Sequence, residues 1–285
     1  MSYSISDLKR YRHDHNPRDV PNEVRNFNTY LQKSPQLATQ LQLIVERDGI
    51  VRLNDMLIDP SVVILRRLKS ILNRLSRENY DKLFAEITRL SKQQSEIVDR
   101  VIDVILQNIK LSDCFIRLYA ILVRDVESHS LWESSAASFA DGLTEKCLQD
   151  FETFQSVEVR ASLKKRLSDA TDCDQKLEIE GRVKRENRAV VQFLGHLFLH
   201  DMVCGATVTG IIERLLAPHP DEDSLDEHNI DYLLAIYALV LRKLTAADPE
   251  TVMATNQRII SLLDQAINMR LKFMIQNFVK QNRLC

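Results

Sequence analysis

The amino-acid sequence predicts an all-α protein, a helical solenoid of about five antiparallel helix pairs. Two observations support this prediction. The 285 residues include only six glycines and seven prolines, whereas β-rich folds need frequent turn residues. From residue 60 onward, apolar residues recur at spacings of three and four, and short polar breaks interrupt this pattern about ten times. Such a pattern is typical of successive amphipathic helices.

The first predicted helix pair lies between Ile64 and Leu90. One face of its first helix carries four leucines, Leu65, Leu68, Leu72 and Leu75, and its second helix carries Leu83, Ile87 and Leu90 with Tyr80 and Phe84 beside them. Ser76 and Asn79 occupy the polar hinge between the helices, where their side chains can cap free backbone groups. A hairpin with one apolar face needs neighbours to cover it. A stack of such hairpins is usually a surface that holds partners.

The rest of the chain continues this alternation of helices and breaks. The predicted segments are Glu96–Lys110, Ser112–Asp125, Leu131–Glu152, a charged stretch of weak apolar period at Arg160–Glu180, Arg188–His200, Val203–Leu216, an acidic loop at Pro218–Glu227, Ile230–Leu244, Pro249–Ala266 and Asn268–Gln281. The spacing of the predicted helix pairs along the chain is near the length of a HEAT-type repeat, about 40 residues. The sequence therefore predicts a HEAT-type solenoid.

The sequence before residue 59 differs in character from the rest. Residues 1–21 are polar, contain Pro17 and Pro21 and lack sustained periodicity, so we expect a flexible N-terminal tail. Residues 22–58 hold shorter helical patterns and are predicted to form an N-terminal helical extension. The main helical domain is predicted at residues 59–285. Pro60 suits its first helical position, where a fixed φ and a missing N–H do no harm.

The composition is that of a soluble globular protein, with 45% hydrophobic and 27% charged residues. The net charge of −2 gives no global field that would attract nucleic acid. The five cysteines are widely separated. They favour a reduced compartment and are expected to be mostly small core residues. The polar N-terminus is not a secretory signal, and no apolar run approaches the roughly 20 residues that span a bilayer. We expect a cytoplasmic protein.

Several local patterns resemble catalytic or metal-binding motifs but lack essential residues. The Gly205–Gly210 segment has the glycine spacing of a phosphate-binding loop without its lysine, so a helix entry loop is predicted. His196 and His200 are one helical turn apart, but no catalytic glutamate lies between them. Structural histidines are predicted there, and a solvated tail is predicted for His13–His15. The sequence gives no reason to expect an enzyme, a bound metal or a cofactor.

Three segments carry a likeness to a known family. Residues Arg66–Leu75, followed by Tyr80–Leu83, resemble the pattern R-x-x-x-x-L-N-K-L-T-P-x-x-F; Arg188–Phe198 resembles x-N-x-x-F-I-G-E-L-F; and Arg270–Asn277 resembles R-I-R-F-M-L-Q-D. Their order and separations also match. Residues 60–283 therefore resemble the middle domain of eukaryotic translation initiation factor 4G, a HEAT-type helical domain that is also found in several RNA-processing proteins.

The resemblance implies a non-catalytic scaffold for a DEAD-box helicase, initiation factor 4A. In the family, helix ends and loops hold both helicase lobes and raise the helicase's turnover by population shift. Leu72, Leu75 and Tyr80 match apolar family positions that are tied to helicase binding. Core packing is the alternative for the two leucines, because they share a helix face with Leu65 and Leu68.

RNA binding is the second activity that the resemblance implies. The basic residues that would carry it are Arg160, Lys164, Lys165, Arg166, Arg182, Lys184, Arg185 and Arg188. Clustered Lys and Arg neutralise phosphates, so that affinity falls with salt. Since no aromatic residues lie between these cations in the sequence, RNA binding is expected to be insensitive to the base sequence. The alternative is a solvated, salt-bridged face, because acidic residues are interspersed.

The N-terminal tail contains a candidate docking motif. Tyr3 to Leu8 fits the Y-x-x-x-x-L pattern by which factor 4G docks on the cap-binding initiation factor 4E, although Lys9 stands where an apolar residue is usual. On a helix, Tyr3 and Leu8 would present together to a partner groove. The alternative is a plain solvated terminus.

These expectations combine into one functional hypothesis. The chain is predicted to be a translation-initiation scaffold that binds factor 4A and RNA and that bridges to factor 4E through its tail. Two alternatives stay open at this point. One is a nuclear RNA-processing or mRNA-decay adaptor with the same fold and a different DEAD-box helicase. The other is a metal-dependent or otherwise catalytic helical protein that uses His196 and His200.

Overall fold

A computed structural model describes residues 2–3, 51–52, 60–91, 98–131, 138–170, 172–218, 226–265 and 269–284. These ranges contain eleven α-helices, one short 3-10 helix and two strands of two residues each. The prediction of an all-α fold built from helix pairs is confirmed. None of the described helices combines the length and the apolar character needed to cross a bilayer.

The elements follow one another with short connections. The strands are β1 (Ser2–Tyr3) and β2 (Val51–Arg52), and the helices are α1 (Pro60–Asn73), α2 (Tyr80–Ser91), α3 (Val98–Leu111), the 3-10 helix (Asp113–Phe115), α4 (Ile116–Ser128), α5 (Phe139–Gln155), α6 (Val157–Asp169), α7 (Cys173–Leu199), α8 (Gly205–Leu216), α9 (Glu227–Ala247), α10 (Pro249–Gln265) and α11 (Met269–Asn282).

The chain divides into two units, Met1–Ser70 and Ile71–Cys285, and the division falls within α1. In the first unit, β1 pairs antiparallel with β2, so that Tyr3 lies opposite Val51. The tail and the helical extension that the sequence predicts lie largely outside the described residues, and their boundaries stay predictions.

The hinge between α1 and α2 is held by one side chain. The Asn79 side-chain oxygen accepts the backbone N–H of Ser76 at 2.7 Å, and its amide nitrogen donates to the carbonyl oxygen of Arg74 at 2.7 Å. The capping role that the sequence indicates for this hinge therefore belongs to Asn79, because one amide can satisfy both a free donor and a free acceptor.

In the second unit, α7 is the central helix and packs against α3, α4, α5, α8 and α9. Sequence neighbours also pack as pairs, α3 with α4, α8 with α9 and α10 with α11. The interfaces are filled by buried apolar side chains that recur at three- and four-residue spacing: Val101, Ile105, Leu122, Leu143, Phe193, Leu194, Leu197, Ile236 and Tyr237. The sequence periodicity therefore identified the faces that meet.

Gly195 lies where α7 and α9 approach each other closely. A Cβ atom at this position would lie 2.9 Å from Leu239 Cδ2 and 3.1 Å from Ile236 Cγ1. Real Cβ atoms rarely approach other heavy atoms so closely, so the two helices meet at a distance that only glycine allows without displacement.

One helix differs from its predicted bounds. The sequence predicts a helix over Arg188–His200 preceded by a charged stretch of weak period, whereas α7 begins at Cys173. Asp172 caps it by accepting the N–H of Asp174 at 3.3 Å. No residue of α7 before Ala189 is fully buried. Apolar periodicity cannot reveal a helical segment of this kind, because capping and helix-forming residues stabilise it without a buried face.

The cysteines also differ from expectation. Cys147 is buried, but Cys114, Cys173 and Cys204 are exposed. Burial raises the pKa of the Cys147 thiol far above its ordinary value, and the neighbouring Asp150 carboxylate adds to this rise. Cys147 therefore packs as a small apolar residue, which is the role that the sequence indicated for most of the cysteines.

Candidate partner-binding sites

Leu72 and Leu75, two of the three predicted helicase-binding residues, lie in the core. Their side chains are 3% and 4% exposed. The carbonyl oxygen of Leu72 also accepts a hydrogen bond from the buried Tyr119 hydroxyl at 2.9 Å, which ties α1 to α4. Side chains in this position cannot touch a partner directly. The structure therefore agrees with the core-packing alternative for these two residues, and the effect of either residue on helicase binding stays a prediction.

Tyr80, the third predicted helicase-binding residue, is half-buried at the start of α2. Its hydroxyl donates to Asp125 Oδ2 of α4 at 2.7 Å. Burial and the Asp125 carboxylate both raise the pKa of the Tyr80 phenol well above its usual range. The Tyr80 ring stacks on Phe84 at 5.9 Å between centroids, and Phe84 meets His129 edge-to-face at 5.3 Å. We call Tyr80, Phe84 and His129 the aromatic ladder.

The eight predicted RNA-binding residues lie on α6 and on the first half of α7. We call residues 157–188 the basic hairpin. Its two helices pack against each other, and α6 also packs against α5. None of the described residues before Ala189 in these two helices is fully buried. The eight predicted residues therefore lie on two helices that pack against each other, and their role in RNA binding stays a prediction.

Three of the eight cations are held by two carboxylates, Asp226 at the N-cap of α9 and Asp231 within this helix. Arg160 pairs with Asp226 at 2.5 Å between Nη1 and Oδ2, and both side chains are largely buried. Lys184 and Arg188, one helical turn apart, both face Asp231 Oδ2, at 3.6 and 3.4 Å. These cations bind the basic hairpin to α9. A phosphate group would have to displace a carboxylate to reach them.

The other five cations are exposed: Lys164, Lys165, Arg166, Arg182 and Arg185. Arg182 faces Glu186 at 3.9 Å, a distance at which a solvated pair contributes little. The predicted RNA-binding set thus separates into five side chains at the surface and three that stabilise the hairpin. The sequence could not show this separation, because the carboxylates concerned are 43 or more residues away.

The N-terminal end of α9 completes the attachment of the basic hairpin. Gln155, the last residue of α5, and Asn229 exchange two buried hydrogen bonds, at 2.8 and 3.3 Å, which join α5 to α9 directly before the hairpin. His228 Nε2 lies 3.2 Å from Glu180 Oε1 of α7. Glu180, Lys184 and Arg188 follow one another at four-residue spacing, so one face of α7 meets α9. Sequence reasoning identified Glu180 and the acidic residues near 226 only as charges, without these partners.

The predicted docking motif for factor 4E falls on residues that the structure describes in part. Tyr3 lies in β1, a short strand, whereas the motif was expected to be helical. Leu8 lies outside the described residues, so the motif as a whole stays a prediction.

The two histidines that were considered as metal ligands lie near cations. Burial, together with the neighbouring Arg117 and His200, lowers the pKa of His196 to about 4. Burial also lowers the pKa of His200, with contributions from Arg124, Arg117 and Lys243. Among the described residues, no group of three or more potential ligands is placed to hold a metal ion. The Gly205–Gly210 segment opens α8, as the helix-entry interpretation predicts.

Comparison with known proteins identifies the family. A family model described as "MIF4G domain" matches residues 65–284. The chain belongs to the MIF4G domain family. This match confirms the resemblance that the three sequence segments indicated. MIF4G domains are helical scaffold domains and are not a known enzyme family.

Curated relatives of this MIF4G protein are translation factors. Eukaryotic translation initiation factor 4 gamma 1 of Mus musculus is 22% identical over 228 residues, which are 75% of this chain and 14% of that protein. Eukaryotic translation initiation factor 4G of Arabidopsis thaliana is 25% identical over 183 residues, 61% of this chain and 10% of that protein. The chain thus spans only a small part of the length of these relatives.

A solved structure shares the fold. The crystal structure of the MIF4G domain of Trypanosoma cruzi translation initiation factor EIF4G5 aligns with a TM-score of 0.51 and 18% sequence identity, covering 76% of this chain and 94% of that chain. Together with the family match, the relatives support a scaffold role in translation or other RNA-related complexes.

Proposed function

We propose that this MIF4G protein is a translation-initiation scaffold that binds the DEAD-box helicase initiation factor 4A and RNA in the cytoplasm. The observation that carries the proposal is the family match over residues 65–284, together with factor 4G relatives that align over most of this chain. The protein supplies no catalytic group. It raises the helicase's turnover by favouring the arrangement of the two lobes that is competent to close.

Within the predicted helicase set, Tyr80 is the residue that we propose contacts the helicase directly. Its ring is half-buried and its hydroxyl is fixed by Asp125. Leu72 and Leu75 act indirectly by supporting α1, because their side chains are in the core. Substitution of either leucine weakens helicase binding only to the extent that it unfolds the helix pair formed by α1 and α2.

The basic hairpin is the proposed RNA surface, and its five exposed cations make the phosphate contacts. Binding of this kind is insensitive to base sequence and falls with salt. We also propose that Tyr3 and Leu8 dock on the cap-binding factor 4E, which would join the cap-binding protein to the helicase.

The test is an ATPase assay with purified full-length chain, factor 4A and RNA. We expect the chain to raise the RNA-dependent ATPase rate and to retain factor 4A in a pull-down. Tyr80→Ala should weaken both effects, whereas Tyr80→Phe keeps the ring and should weaken them less. The proposal is overturned if the chain neither binds factor 4A nor changes its ATPase rate.

Two further measurements extend this test. In a pull-down from cytosolic extract, chains with Tyr3→Ala and Leu8→Ala should no longer retain factor 4E but should still retain factor 4A. Retention of a different DEAD-box helicase would instead identify the chain as an adaptor of nuclear RNA processing or mRNA decay. For RNA, the triple variant Lys165→Glu, Arg166→Glu, Arg185→Glu should bind more weakly than a control triple on α10 and α11, Arg258→Glu, Lys272→Glu, Lys280→Glu.

A further inference from the structure

A second group of basic residues lies where α4, α7 and α9 pack together, apart from the basic hairpin. We call Arg117, Arg124, His196, His200 and Lys243 the cationic patch. Arg117 and Arg124 are two helical turns apart on α4, and His196 and His200 are one turn apart at the end of α7. Both α4 and α9 pack against α7. Lys243 Nζ lies 2.7 Å from the carbonyl oxygen of Phe198 at the end of α7, and Arg117 and Arg124 are close enough to act electrostatically on the histidines.

The carboxylates in this region already have partners. Asp201 faces Lys243 at 2.6 Å, and Asp125 accepts from Tyr80 at 2.7 Å and pairs with Arg124 at 2.7 Å. Arg117 is exposed and has no carboxylate partner among the residues that the structure describes. The patch therefore holds more basic groups than acidic ones, with one guanidinium available to a ligand.

The pKa values of His196 and His200 reflect the positive electrostatic potential of the cationic patch. The pKa of each is lowered first by burial and then by the neighbouring cations, and only Asp125 opposes this effect, at His200. A positive field of this kind repels metal ions and attracts anions. By linkage, an anion bound here would raise both pKa values, and protonation would strengthen its binding.

The aromatic ladder adjoins the patch through Asp125. The carboxylate of this residue contacts Tyr80 and Arg124, and its backbone carbonyl oxygen lies 2.8 Å from His129 Nδ1. His129 is exposed and Phe84 is half-buried. Cations beside accessible rings suit single-stranded nucleic acid, because phosphates pair with the cations and bases stack on the rings. A phosphopeptide or a lipid headgroup uses only the cations.

We propose that the cationic patch and the aromatic ladder together form a second binding site for single-stranded RNA. The inference rests on the proposed function for the ligand class, but the site is distinct from the basic hairpin. Arg117 and His200 contact phosphates, and a base stacks against the exposed ring of His129. RNA affinity at this site rises as the pH falls, since protonated His200 adds a positive charge among Arg117, Arg124, Asp125, His196, Asp201 and Lys243.

The test uses full-length chain and a labelled single-stranded RNA in fluorescence anisotropy titrations. Arg117→Glu should lower the affinity roughly fivefold or more and make the salt slope shallower by about 0.7, the contribution of one phosphate contact on a single strand. Arg258→Glu, which reverses an exposed arginine of α10, is the control. His200→Gln should flatten the dependence on pH between 7.5 and 5.5. His129→Ala should lower the affinity for the RNA roughly fivefold, whereas the affinity for an abasic strand should change little.

The outcomes separate this proposal from the proposed function. If charge reversal in the basic hairpin abolishes RNA binding while Arg117→Glu and His129→Ala leave it unchanged, the second site is overturned and the hairpin surface stands. The assignment to RNA is overturned if a phosphopeptide competes for the site as effectively as unlabelled RNA does and if an abasic strand binds as tightly as the RNA with its bases. If the chain binds factor 4A but no RNA, this inference fails while the scaffold role survives.

Discussion

Asp231 holds two cations of the basic hairpin, so removing its charge should strengthen RNA binding. Its Oδ2 atom lies 3.6 Å from Lys184 Nζ and 3.4 Å from Arg188 Nη1. In Asp231→Asn the side chain keeps its size and loses its charge. Both cations then become available to phosphates, without any new positive residue.

The magnitude follows from counting contacts. Each phosphate contact on a single strand contributes about 0.7 to the slope of log affinity against log salt, so two added contacts steepen the slope by about 1.4. The gain should therefore shrink about sevenfold between 50 and 200 mM salt. Partly exposed ion pairs contribute about 0.2–1 kcal/mol each, so the variant should lose at most about 2 kcal/mol of stability and remain folded.

The assay is anisotropy titration of single-stranded RNA over this salt range, with thermal unfolding of the same samples by circular dichroism. Asp264→Asn makes the same charge change at an exposed position on α10 and serves as the control. Unchanged or weaker RNA binding by folded Asp231→Asn at 50 mM salt would refute the idea that these cations share the phosphate-binding surface.

Further predictions concern stability. Leu72→Ala should cost about 2–5 kcal/mol of unfolding free energy by urea titration, whereas Leu177→Ala, at a position 63% exposed, should change it by less than about 0.5 kcal/mol. Gly195→Ala should destabilise by up to about 2 kcal/mol, since overpacking costs about 1–3 kcal/mol and helix propensity returns about 1 kcal/mol; a more stable variant would contradict the close approach. Tyr237→Phe loses hydrogen bonds of 2.7 and 3.2 Å and should cost about 1 kcal/mol. Because burial and the neighbouring Arg117 and His200 lower the pKa of His196 to about 4, the unfolded chain binds more protons than the folded chain as the pH falls from about 6.5 toward 4. Stability should fall over this window by about 1–2 kcal/mol after solvent screening, and His196→Gln should remove that part of the pH dependence.

The parts of the fold that the sequence predicted are those where one side of a helix is buried. Leu194 and Leu197 on α7, like Leu68 and Leu72 on α1, recur at helical spacing because each turn must place an apolar group in the core. The first half of α7 has no such face, and its helical state depends on the Asp172 cap and on residues that favour helix. Apolar periodicity in the sequence cannot predict a helix that is stabilised in this way.

The candidate sites were harder to predict because their interactions join distant parts of the chain. Asp231 is 43 residues from Arg188, yet it decides whether this cation faces solvent or a carboxylate. Arg117 and His196 likewise influence each other only because α4 packs against α7. A run of basic residues therefore locates positive charge along the sequence. The tertiary packing determines which charges a phosphate can reach.

The motifs that identify the family and the residues that choose a partner are largely different. In the third family segment, Leu271 and Ile275 are buried, whereas Phe273 between them is 55% exposed. The buried pair is required by packing in a protein with this fold whatever it binds, so its match indicates fold alone. Partner choice must then reside in accessible positions such as the exposed Phe273 and the half-buried Tyr80. Substituting these positions while keeping the core should change which helicase is retained without changing the melting temperature by more than a few degrees.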